Sequence, residues 1–303
     1  MNQVDLNYEK YNFINQHEKK SFFKTALTWN GSVTPVVIHR VALLMLYAYI
    51  ASSVEKLFPI STFPISPFQY TGFALGVLLV LRINAGLDRW WEARKLWGNI
   101  VNQSRNLAII IKVHCKNEED KKIILNYIAA WPYVIMNSLR NDLSTTKINK
   151  FLTQEDLLQI SQHPHRPSFI AFKLDEFFQK TLSHEINSYI HHLLQNERLL
   201  LLNSVGACER IASTPIPFVL AIKIRRFILM FILLLPFCMN DKTNMYSAII
   251  VGLVSYPLLS LDEIGVHLQN PFSLKSLSCL PLETICDKIY LNISEIEYVE
   301  NQF

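Results

Sequence analysis

The sequence predicts an all-α membrane protein, with four transmembrane helices joined to a cytoplasmic helical domain. Three observations carry this reading. Half of the 303 residues are apolar and only 18% are charged, against roughly 25% charged in an average soluble domain. Four segments each approach the roughly 20 apolar residues that cross about 30 Å of hydrocarbon. The loops between those segments divide sharply by charge. Glycine is scarce at 8 residues, which disfavours a strand-and-turn fold, and the net charge of +4 is modest and dispersed. That dispersion excludes a dedicated nucleic-acid binder.

Taken in order, residues 1–35 form a cytoplasmic N-terminal segment with no early apolar core or small-residue cleavage site, so they do not read as a cleaved signal peptide. Residues 36–86 hold the first two spans, "VVIHRVALLMLYAYIASSVEKLF" (36–58) and "PFQYTGFALGVLLVLRINAG" (67–86). Residues 87–212 read as a cytoplasmic helical domain. There "ARKLWGNIVNQSRNLAIIIKVH" and "EEDKKIILNYIAAWPYVIMNSLRNDL" repeat apolar positions at helical spacing. Thr153 is an expected N-cap ahead of Glu155 and Asp156, "SQHPHRPS" (161–168) a proline-broken loop, and 175–205 one long amphipathic helix. Residues 213–265 hold spans three and four, "PIPFVLAIKIRRFILMFILLLPFCM" (215–239) and "MYSAIIVGLVSYPLLSLDEIG" (245–265). Residues 266–303 form a cytoplasmic C-terminal segment.

A soluble protein with long buried helices is the competing reading, because charge interrupts or ends several of these segments. The connections weigh against it: "PISTFPIS" (59–66) is uncharged and "NDKTN" (240–244) is short and nearly neutral. The other flanks carry nearly all the lysine and arginine, the positive-inside pattern of a multi-pass cell-membrane protein with both termini cytoplasmic. For a bacterial chain this is the inner membrane.

Few residues invite an enzymatic reading. The five cysteines are odd in number and lack CxxC spacing, so buried reduced thiols are expected rather than disulfides or a zinc site. His191 and His192 are adjacent on a helix and point apart, and His163 and His165 lie in a loop without an evident acidic partner, so no metal site is expected. No nucleophile elbow, zinc-protease, P-loop or dinucleotide motif occurs. The protein is read as no enzyme, without a cofactor.

The second span is more informative. Phe73, Val77 and Leu81 recur at spacing four on one helix face, beside a GxxxG at Gly72 and Gly76. Arg82, Asp88 and Arg89 follow directly, while Arg40, Lys223, Arg225, Arg226, Asp262 and Glu263 punctuate the other spans. Charge in hydrocarbon must pair, reach the interface or line water. Asp88 or Glu92 with Arg89, and Glu209 with Arg210 or a first-span cation, are the partners that proximity suggests.

The stretch "LDRWWEARKLWGNIV" resembles the bacterial branch of the bestrophin family of anion-channel-forming membrane proteins. "GACERIASTPIPF" (206–218), "LDEIGVHLQNPF" (261–272) and "LPLETICDKI" (280–289) resemble three further family segments in the same order. The resemblance implies a homopentamer around a central pore, embedded in the lipid bilayer and passing small inorganic ions, chloride or other anions by analogy. It places the family's hydrophobic pore neck on Phe73, Val77 and Leu81, the face singled out above. A lower constriction falls on Ile186 or Ile190, with Asn187 an alternative at that position. Asp88, Arg89, Trp90, Trp91 and Glu92 become a structural joint where the pore helix enters the cytoplasm.

Two departures matter. Animal members follow Asn-Pro-Phe with acids that clasp calcium; here Asn270-Pro271-Phe272 is followed by "SLKSLS", so calcium gating through that clasp is not expected. Val77 is also smaller than the usual mid-neck residue, which suggests a wider neck. Cation selectivity remains the alternative to an anion channel, ahead of a small-molecule exporter or a membrane scaffold.

Overall fold

Every regular element of the computed structural model is helical among the described residues, which are 22–29, 31–57, 64–180, 187–239 and 244–298. The elements are α1 (Phe22–Ala26), α2 (Thr34–Leu57), α3 (Ile65–His114), α4 (Glu118–Arg140), α5 (Gln154–Gln162), α6 (Arg166–Lys180) and α7 (Ser188–Ser213). They continue with α8 (Phe218–Leu234), a 3-10 turn (Leu235–Cys238), α9 (Asn244–His267) and α10 (Leu282–Tyr298).

The chain organises around α3, an unbroken helix of 50 residues. At 1.5 Å per residue it is about 75 Å long, more than twice the thickness of a hydrocarbon core. Its first half packs into one apolar cluster and its second half into another. The first cluster joins Leu75 and Leu79 of α3 to Ala48 of α2, Ile224, Ile228 and Ile232 of α8 and Val251 of α9. The second gathers Trp97, Ile100, Leu107 and Ile111 of α3 with α4 residues such as Ile128, Trp131 and Ile135, and with Phe178, Leu201, Phe272 and Cys286.

Three helical stretches, Thr34–Leu57, Ser66–His114 and Asn244–His267, are long and apolar enough to cross a membrane. The remaining expected span is shorter. α8 has 17 residues and carries Lys223, Arg225 and Arg226 early, and the 3-10 turn Leu235–Cys238 extends it. The helices around the first cluster leave large apolar side chains uncovered, among them Leu43, Leu46, Ile50, Phe218, Leu229, Ile249 and Leu253. Such a surface suits lipid or another subunit, not water.

The second cluster is built by amphipathic helices with ordinary polar punctuation. Asn117 caps α4 by accepting from the Glu119 amide at 3.0 Å, and Glu118, Glu119 and Asp120 occupy its first turn, where the helix dipole favours negative charge. Asn141 ends it in the left-handed conformation at φ 54°. Thr153 caps α5 as expected, accepting from the Asp156 amide at 3.3 Å.

The expected single helix over 175–205 is interrupted at Asn187, whose backbone is extended, and its residues 181–186 lie outside the described residues. α6 ends at Lys180, and α7 begins at Ser188 with Asn187 as its cap, the Asn187 side chain accepting from the Tyr189 amide at 3.3 Å. Apolar periodicity carries across such an interruption unchanged. The short amide side chain at Asn187 was the available signal for the new start.

Candidate pore face and the joint beneath it

Phe73, Val77 and Leu81 lie together on one face of α3 and remain 77%, 45% and 58% exposed. The opposite face of the same turns carries Leu75 and Leu79, both fully buried, and Arg82, 3% exposed. The helix is thus anchored along one side and presents an uncovered apolar stripe on the other. The GxxxG contributes unevenly. A Cβ at Gly72 would meet the Phe231 ring at 3.1 Å, so that glycine admits a neighbour, whereas Gly76 faces open space. Ile190 sits half-buried in the first turn of α7, Asn187 caps that turn, and Ile186 lies outside the described residues.

Below the stripe, the DRWWE segment ties α3 to two other chain segments. Arg89 donates to the backbone carbonyls of Ile211 at 2.6 Å, Thr214 at 2.9 Å and Gln269 at 3.2 Å. The Ile211 and Thr214 carbonyls belong to the C-terminal end of α7, where a helix leaves acceptors unsatisfied, and Gln269 lies two residues past the end of α9. Trp90 donates its indole N–H to the Ser278 carbonyl at 2.8 Å and stacks on Trp91 with ring centres 5.9 Å apart. The Trp90 N–H therefore meets protein, while Trp91 stays exposed.

Of the ion pairs suggested from proximity, Glu92 acts on Arg89 only as a nearby charge, and the contacts within 4 Å are with other partners. Glu92 lies 3.6 Å from Arg210, and Glu209 pairs with His165 at 2.8 Å. Asp88 is exposed and has no ion-pair partner among the described residues. Arg89 directs its hydrogen bonds to carbonyls because several acceptors converge on one planar guanidinium, while Glu92 adds a favourable charge nearby.

The charges that punctuate the spans do find one another. Asp262 of α9 accepts from Arg82 of α3 and, at 2.9 Å, from Arg225 of α8. The adjacent Glu263 accepts from Arg40 of α2 at 2.8 Å. One pair of adjacent carboxylates therefore binds three arginines, one from each of the other helices around the first cluster. Gly265, one turn beyond Asp262, makes room for this; a Cβ there would lie 3.2 Å from Arg82 Nε. Sequence flagged each charge but not the pairing, because Arg82 and Asp262 are 180 residues apart.

A family model described as Bacterial/Fungal Bestrophin protein matches residues 14–295 of this sequence. The chain belongs to the bestrophin family. Bestrophin relatives named voltage-dependent anion channel-forming proteins include one from Nostoc sp., 32% identical, the match covering 92% of each chain. Another, from Synechocystis sp., is 30% identical over 94% of this chain and 95% of its own. Crystal structures of a bacterial bestrophin homolog from Klebsiella pneumoniae share the fold. One superimposes with TM-score 0.78 at 24% identity, covering 88% of this chain and 99% of that one. Another gives 0.77 at 24%, covering 86% and 97%.

In this bestrophin, the segment after Asn270-Pro271-Phe272 is organised by its own hydroxyls. Asn270 Oδ1 accepts from the Phe272 amide at 3.1 Å, Ser273 Oγ accepts from the Lys275 amide at 3.3 Å, and Ser276 Oγ donates to the His267 carbonyl. Phe272 is fully buried, and its carbonyl accepts from Arg140, which also reaches Glu283 at 3.4 Å. Among the described residues no three His, Cys, Asp or Glu side chains gather into a metal-binding group. All five cysteines are free and four are buried. Burial pushes the Cys208 thiol up to about 12 and raises Cys286 further still.

Proposed function

We propose that this chain assembles as a homopentamer in the bacterial inner membrane, with both termini cytoplasmic, and conducts small anions through a pore on the five-fold axis. Helices α2, α3, α8 with its 3-10 extension, and α9 are the four spans. Residues 87–212 and 266–303 form the cytoplasmic body. The observation that carries this reading is the stripe Phe73, Val77 and Leu81, exposed on a helix whose opposite face is locked into the bundle. Five copies turned inward give three stacked apolar rings, and such a constriction gates by dewetting. The family membership and the anion-channel names of the Nostoc and Synechocystis relatives support the choice of permeant. Ile190 at the start of α7 lies in the region assigned to a lower constriction, and Asp88 to Glu92 hold the pore helix at its base.

One observation favours a second reading, cation selectivity. Asp88 is exposed and lies seven residues beyond Leu81, two helical turns along nearly the same face. Five such carboxylates at the inner mouth repel anions and concentrate cations. Currents of the purified protein in planar bilayers under asymmetric potassium chloride separate the two. A reversal potential on the chloride side supports the first reading and one on the potassium side the second. No current, or no rise in current for Phe73→Ala with Leu81→Ala, removes the neck assignment; a flux-free membrane scaffold gives the former.

A further inference from the structure

A groove of about 260 Å³ opens between α2, α8 and α9, lined by Arg40, Leu44, Arg225, Leu229, Leu259 and Asp262, with Ile228 and Ile232 behind. No residue of α3 lines it, so it lies on the side of the bundle away from the exposed Phe73 stripe. Its chemistry is divided along the membrane normal. α2 and α8 run away from the cytoplasmic body and α9 returns to it. On all three helices the charged residue is therefore the one nearer the body. Leu44 lies four residues beyond Arg40, and Leu229 and Ile232 lie four and seven beyond Arg225, placing the apolar wall roughly 6–10 Å deeper in the membrane.

The arginines at the mouth retain unused donors. Among the described residues, Arg40 engages Glu263 through Nη1 alone and Arg225 engages Asp262 through Nε alone; both side chains are about half exposed, at 50% and 49%. The cluster of Arg40, Arg82 and Arg225 against Asp262 and Glu263 holds three positive charges and two negative ones. Lys223 and Arg226 stand exposed on the same helix as Arg225. A surplus positive mouth, planar guanidinium donors and an apolar slot leading into the hydrocarbon are complementary to one class of molecule. An anionic phospholipid has a phosphate at headgroup depth and acyl chains below it.

We propose that this groove binds an anionic phospholipid of the leaflet on the side of the helical body. Its phosphate lies on Arg40 and Arg225 and one acyl chain lies along Leu44, Leu229 and Leu259. The site requires only that the helices are embedded, and is independent of the pore reading.

Native mass spectrometry of the full chain released from neutral detergent tests it, with dioleoylphosphatidylglycerol and dioleoylphosphatidylcholine titrated separately. The expected result is about one phosphatidylglycerol per chain, bound at least about tenfold tighter than phosphatidylcholine, the equivalent of one charge-assisted hydrogen bond. Arg40→Gln with Arg225→Gln is expected to erase the preference. Leu229→Trp leaves every charge in place and fills the slot from a half-exposed position, so it is expected to weaken phosphatidylglycerol several-fold, and it decides the matter should the arginine variant misfold. Equal affinity for the two lipids, a preference that survives both variants, or displacement by soluble glycerol phosphate at the lipid's own concentration overturns the proposal. The assembled mass is read in the same spectra, so a failed pentamer and a failed lipid site are told apart.

Discussion

Truncating Asp262 to alanine is expected to destabilise the bundle by about 3–5 kcal/mol, the range for breaking a buried ion pair from one side. Asp262 is 5% exposed and accepts from both Arg82 and Arg225. Its loss strands Arg82, 3% exposed and with Nη2 already lacking a hydrogen-bond partner among the described residues. The neighbouring Glu263 is engaged by Arg40 at 2.8 Å. Arg225 adds little, because a half-exposed ion pair contributes about 1 kcal/mol or less. Arg82→Met should cost less, about 1–3 kcal/mol, because Asp262 keeps Arg225. The double change Asp262→Leu with Arg82→Met removes both buried charges and should return most of the lost stability. Equilibrium unfolding in mixed micelles, followed by far-ultraviolet circular dichroism, measures all three. If the double variant lost as much as Asp262→Leu and Arg82→Met measured singly and added together, the pairing of Arg82 with Asp262 would be refuted.

If the proposed neck is formed by this stripe, Val77→Phe is expected to narrow it and lower single-channel conductance in planar bilayers; an unchanged current would remove the idea that Val77 widens it. Gly86→Ala should destabilise by about 1–3 kcal/mol, because a Cβ there would lie 2.8 Å from Leu268 Cβ, an atom fixed by its own backbone. Gly252→Ala should cost less, since its 2.7 Å neighbour is the flexible Met45 thioether; thermal melts of the two variants in one detergent rank them. Because burial raises the Cys208 thiol to about 12 and Cys286 above that, both remain thiols rather than nucleophilic thiolates across pH 7–9. Maleimide labelling of the folded protein at pH 8, read by peptide mass, should leave both unmodified, with reactivity appearing on denaturation.

Much of the architecture was legible because hydrophobic periodicity reports directly on burial. The apolar spans, the helices of the body, the Thr153 cap and the run of α3 through DRWWE all follow from local pattern. The stripe of Phe73, Val77 and Leu81 could be grouped on one face by its spacing of four, but Leu75 and Leu79 repeat at the same spacing two residues out of phase, so pattern alone did not say which face is buried. What local pattern could not supply was partner choice. Arg89 has Asp88 beside it and Glu92 one turn on, yet it hydrogen-bonds to three carbonyls delivered by distant chain segments. His165 reads as partnerless until α6 and α7 pack and bring Glu209 to 2.8 Å. The interruption at Asn187 escaped for a related reason, as a helix can restart without disturbing its apolar phase.

The continuity of α3 has a mechanical consequence. Arg89 sits near its midpoint, clamped to the end of α7 and to Gln269 just past α9, so the helix has a fulcrum with an arm on either side. Phe73 is 16 residues up one arm, about 24 Å from the fulcrum, and His114 is 25 residues down the other, about 37 Å away. A tilt of roughly 5° about Arg89 therefore swings the Phe73 backbone by about 2 Å and the far end by about 3 Å. A displacement of that size is comparable to the radius of a dehydrated ion. With no hinge along its length, this rod carries a nudge against the helical body to the Phe73 end of the helix, where the proposed neck would feel it.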